Sequence, residues 1–113
     1  ELSRTAGIEQ KTLANYLGLL ERVYQVGQLR PFSVNLGKRF TTRAPKIYFS
    51  DSGVLCHMLG INSVADLKQS PYYGAVTETY VYSELLKALS YADHRPMGLY
   101  HYRTTDRREI DFI

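Results

Sequence analysis

The sequence predicts an α+β chain: a winged helix-turn-helix over residues 1–60, a connector over 61–73, and a long helix with a closing β-hairpin over 74–113. Three observations predict it. Apolar residues recur at helical spacing in Leu13, Tyr16, Leu17, Leu20 and Val23, and again after Gly74. Two β-forming runs, Tyr24–Arg30 and Lys46–Ser50, flank a polar, basic segment. Two further runs, Leu99–Thr104 and Arg108–Ile113, surround a tight polar turn at the end of the chain.

Each element has a local reason. Leu2 and Ala6 belong to a short first helix, Gly7 supplies a turn, and Ile8 packs back on it. A second helix starts near Gln10, with Gln10, Lys11, Thr12, Asn15 and Glu21 opposite its apolar stripe. A short helix, a Gly turn and a polar-faced second helix form the helix-turn-helix pattern, whose second helix can lie in a major groove. Tyr24–Arg30 alternates apolar and polar, and Pro31 limits its pairing. Asn35–Pro45 then forms a basic hairpin tip before the second strand, which completes the order of a winged helix. Asp51 and Ser52 cap a short helix that ends at Gly60. The connector holds one weak helical turn around Val64–Lys68. Ala75 to about Ser90 is the longest helix, with Val76, Tyr80, Ser83 and Leu86 along one stripe and Val81, Leu85 and Ala88 beside it.

Composition narrows the function classes. A hydrophobic share of 44% supports a core, so wholesale disorder is excluded, and no apolar run approaches the length of a membrane span. Without a starting Met or signal-like segment, and opening inside a helix, the chain is expected to be a piece of something longer. Cys56 is the only cysteine; it reads as a small buried hydrophobe, and a cytoplasmic setting is expected. Residues 1–60 hold eight Lys/Arg against four Asp/Glu, and residues 22–50 hold six basic residues and no acid. Such a one-sign stretch suits a polyanion such as DNA. Gln10, Lys11, Thr12 and Asn15 are the candidates for base edges, and Lys38, Arg39, Arg43 and Lys46 for phosphates. The alternatives are a solvated basic loop or a protein contact.

In the second half, Asp111 lies between Ile110 and Phe112 in a run that reads as a core strand, where a lone carboxylate is costly unless paired. Strand alternation puts Glu109, Asp111 and Ile113 on one face and Ile110 and Phe112 on the other. Glu78 on the long helix, Asp111 and, third, Glu109 form a carboxylate set of the kind Mg²⁺ takes, able to activate water and neutralise a phosphodiester. The bland readings are a solvated Glu78 and an Asp111 bonded to Arg103 on the neighbouring strand. His57, His94 and His101 have no metal-like spacing; His57 is expected to pack in its helix and the others to be exposed.

Gly74–Leu86 and Tyr100–Phe112, together with Asn35–Arg39 and Lys46–Leu55, resemble the C-terminal module (domain of unknown function 4143) of predicted AAA+-superfamily ATPases of bacteria and archaea. The resemblance implies a P-loop ATPase N-terminal to a winged helix, followed by a restriction-endonuclase-like α/β core, here truncated. In that core Glu78 and Asp111 would be the catalytic and metal-binding acids. ATP would bind in an absent N-terminal domain, and Mg²⁺ only in the intact protein. Two departures qualify this. The chain has no Gly-x-x-x-x-Gly-Lys-[Ser/Thr], and no Glu-x-Lys element follows the closing strand. The fragment itself is therefore expected not to be catalytic, binding nucleic acid and contacting the ATPase domain, or serving as a non-catalytic interaction and regulatory domain.

Overall fold

The structure is a computed structural model that describes residues 2–32, 45–92, 98–103 and 108–113. It is mixed α+β, as expected: five helices and a four-stranded sheet among the described residues. Helix α1 (Leu2–Ala6) ends where Gly7 takes a left-handed φ of 65°, and Ile8 N donates to Ser3 O. Glycine adopts that conformation without a Cβ clash. Helix α2 (Gln10–Arg22) follows. Its end is closed by Tyr24 at φ 58°, with Gln25 N donating to Leu20 O.

Strands β1 (Val26–Pro31) and β2 (Lys46–Phe49) pair antiparallel, with Gly27 opposite Tyr48 and Leu29 opposite Lys46. Helix α3 (Ser52–Met58) has the expected cap: the Asp51 carboxylate accepts from the amides of Gly53 and Val54. At its other end Gly60 is left-handed, and Ile61 N reaches back to Cys56 O, satisfying a carbonyl the helix leaves open. Helix α4 (Val64–Gln69) is capped by the Ser63 hydroxyl. Helix α5 (Tyr73–Tyr91) is the longest element. Strands β3 (Tyr100–Arg103) and β4 (Glu109–Ile110) form the closing antiparallel pair.

The sheet order is β2-β1-β3-β4, with β3 parallel to β1. Strands from both sides of the 61–73 connector therefore share one sheet. Opposed residues on paired strands lie on the same face, so Gly27, Leu29, Lys46 and Tyr48 look the same way, toward α5. Leu29, Tyr48 and Tyr82 form the core, with Leu99 and Phe112 packed against it. The Tyr48 and Tyr82 rings stack at 4.5 Å, and Phe112 lies 5.8 Å from Tyr48. Gly27 makes this close approach feasible, because a Cβ there would sit 2.2 Å from the Tyr82 hydroxyl oxygen.

Several side-chain expectations change. The buried stripe of α5 is Val76, Thr79 and Tyr82, while Tyr80 and Leu86 are exposed. The helix packs on β2 and α3, which leaves its Tyr80 side open, and the Thr79 hydroxyl is satisfied by Ala75 O. His101 is buried rather than exposed, and His57 is exposed on α3. Asp111 is not in a core strand: β4 ends at Ile110, the chain bends, and the Asp111 side chain is 54% exposed. Ile113 then exchanges two backbone hydrogen bonds with Tyr100. Cys56 is half-buried. Among the described residues no helix is long and apolar enough to cross a membrane.

Candidate functional site

The polar centre of the molecule forms where the sheet face carrying Lys46 and Tyr48 meets α5 and the end of β4. Alternation along β2 points Lys46 and Tyr48 to the same side. Lys46 Nζ lies 3.0 Å from Glu78 Oε1, 2.8 Å from Glu109 Oε1 and 2.7 Å from Asp111 Oδ1. The Tyr48 hydroxyl donates a short hydrogen bond to the same Glu78 Oε1. Glu78 stands beside the buried Thr79 on α5, so the packing of that helix fixes where the carboxylate points. An open cleft of about 430 Å³ lies over the centre, lined by Lys46, Tyr48, Ala75, Glu78, Thr79 and Glu109 among others.

The electrostatics follow from these contacts. Partial burial works against the Lys46 ammonium, but hydrogen bonds to Asp111, Glu109 and Glu78 outweigh it and raise its pKa well above lysine's usual range. Burial raises the Tyr48 phenol, and its hydrogen bond to Glu78 raises it further, so Tyr48 stays a donor. The Lys46 hydrogen bond lowers the Glu109 carboxyl, with Arg103 adding to the effect. Three carboxylates against one ammonium leave the centre negative.

The sequence-derived candidates fall into three groups. Glu78 and Asp111 come to one point, together with Glu109. The cation beside Asp111 is Lys46, not a neighbouring-strand arginine. Lys46, expected at phosphates, faces these acids instead. Gln10, Lys11 and Asn15 are exposed on α2, whereas Thr12 is half-buried; Lys11 and Asn15, one turn apart, share a face. Lys38, Arg39 and Arg43 lie outside the described residues. Sequence reasoning missed Tyr48 and the inward role of Lys46. The signal available was their i, i+2 spacing in a β-run.

The donor set does not fit a metal ion as arranged. Among the described residues no group of three or more His, Cys, Asp or Glu is placed to hold one. The carboxylate oxygens stand at charge-assisted hydrogen-bond distances from Nζ, longer than the ~2.0–2.1 Å of Mg²⁺ coordination.

The comparisons with known proteins place the chain among uncharacterised families and add no activity. The family model for a domain of unknown function (DUF8612) matches residues 1–65, and the chain belongs to that family. A second model, also a domain of unknown function (DUF4143), matches residues 73–113. Relatives at 38% identity include the uncharacterized proteins Mb2031c of Mycobacterium bovis and Rv2008c of Mycobacterium tuberculosis. Each alignment covers 98% of this chain and 24% of the relative, so the chain spans about a quarter of their length. No solved structure matches the chain.

Proposed function

We propose that this chain is a nucleic-acid-binding, nuclease-like module of a longer cytoplasmic ATPase, contributing recognition rather than cleavage. The observation that carries the reading is the order of elements at the N-terminus. A short helix, a glycine turn and a second helix precede an antiparallel hairpin, with Lys11 and Asn15 exposed on one face of α2. That order is the one a winged helix presents to a DNA groove. Arg22 and Arg30 are exposed as well. The ATPase parent rests on the resemblance of the motifs, and Lys46 among the acids supports a role without hydrolysis in this chain.

Anisotropy titration of a labelled DNA duplex at two salt concentrations tests the reading. Binding is expected at low salt and should weaken as salt rises, since released counterions drive it. Lys11→Glu should weaken it further. No binding by the wild type at low salt would remove the nucleic-acid reading.

One observation favours a second reading, a protein-interaction or regulatory module. Tyr16, Leu19 and Leu20 on α2 and Val23 at its C-cap form an i, i+3, i+4, i+7 stripe that is exposed throughout. The occupant would be another part of a longer protein such as the curated relatives. Polar substitution of Leu19 and Val23 would then lower solubility-independent binding to that part while leaving DNA affinity unchanged.

A further inference from the structure

The acidic centre is matched to an ammonium group in number as well as distance. A lysine ammonium has three N–H donors and no acceptor. Lys46 has three carboxylate partners, one from α5, one from β4 and one from the bend after it, at 3.0, 2.8 and 2.7 Å. Those are lengths for N⁺–H···O⁻ bonds, and the same oxygens are not placed to hold a metal ion. The participants also divide by family segment. Lys46 and Tyr48 belong to the 1–65 match, whereas Glu78, Glu109 and Asp111 belong to the 73–113 match.

We propose that Lys46 is the resident cation of this centre: a lysine supplied by the first family segment occupies the place that a divalent metal would need among the acids of the second, and ties the two segments together. This goes beyond the nucleic-acid reading and does not depend on it. While Lys46 is present, the carboxylates are spaced around its nitrogen and a divalent ion finds no complete set of ligands. Removing the ammonium leaves three carboxylates facing one another, a charge arrangement that favours a hard divalent cation. Tyr48 has a positioning role, since its hydroxyl holds the same Glu78 oxygen that Lys46 contacts.

Calorimetric titration with Mn²⁺ alone, without nucleic acid, tests the proposal on the wild type, Lys46→Met and Lys46→Gln. Wild type should take up no stoichiometric Mn²⁺. The folded Lys46 variants should bind one Mn²⁺ at least about tenfold more tightly than wild type, as expected when ligand charge is left uncompensated. Wild-type binding of one Mn²⁺ that Asp111→Asn abolishes would overturn the proposal, as would folded Lys46 variants that bind no better than wild type. If both variants unfold by circular dichroism, the wild-type titration decides alone. Because DNA is absent, a failure here leaves the duplex-binding result untouched.

Discussion

Lys46 shows why single residues in this chain resist reading from the sequence. Its three partners stand between 32 and 65 positions away, and nothing local in Pro45–Lys46–Ile47 signals three carboxylates. Asp111 is legible because it carries charge between Ile110 and Phe112, and Glu78 joins it as an acid on the long helix. The burial expected of Asp111 is not found, since the strand stops one residue before it. The ion centre gives stability a defined pH dependence. Glu109 has a depressed pKa, so its contribution is present above the ordinary carboxylate range and is lost as pH falls through the lower, folded value. Lys46 has a raised pKa, so its contribution is present below lysine's usual value and is lost only as pH rises through the higher, folded one. Melting temperature should therefore be flat between those limits and fall on the acid side, with a shallower acid slope in Glu109→Gln. Tyr24 offers a separate test. It is 84% exposed and left-handed, so Tyr24→Gly should stabilise the protein by about 1 kcal/mol in urea unfolding.

Elements were read more reliably than contacts, because caps and turns are local. Asp51, Gly60 and Gly7 each do at a helix end what their chemistry predicts. Asp51→Ala should cost about 1 kcal/mol, measured by chemical denaturation, by leaving two amides of α3 uncapped. The buried face of α5 was not readable in the same way. A helix with apolar residues on several sides, such as Val76, Tyr80, Val81 and Leu86, can bury any of them, and the neighbours decide. Here the tyrosine stack decides, and it needs space above β1. Gly27→Ala should destabilise the fold by roughly 1–3 kcal/mol through overpacking against Tyr82. The penalty should shrink in a Tyr82→Phe background, where the clashing oxygen is gone; equal penalties in both backgrounds would contradict this packing.

At the scale of the whole molecule, the α+β class followed from element order, but the joining of the halves did not. The hairpins β1–β2 and β3–β4 follow from sequence proximity, whereas the parallel β1–β3 contact links residues about seventy positions apart, beyond any turn signal. That contact brings the acids of one family segment over the lysine of the other. It also makes the centre a means of holding the halves together. With Lys46 in place, the protein should leave plasmid DNA uncut in the presence of Mg²⁺, as read on an agarose gel; cleavage that Asp111→Asn abolishes would restore a hydrolytic role. The most direct test of the central claim is a double-mutant cycle in chemical denaturation, with Lys46→Met and Glu78→Gln alone and together. A linked centre predicts a coupling of about 1 kcal/mol between the two side chains, whereas additivity within roughly 0.3 kcal/mol would contradict it.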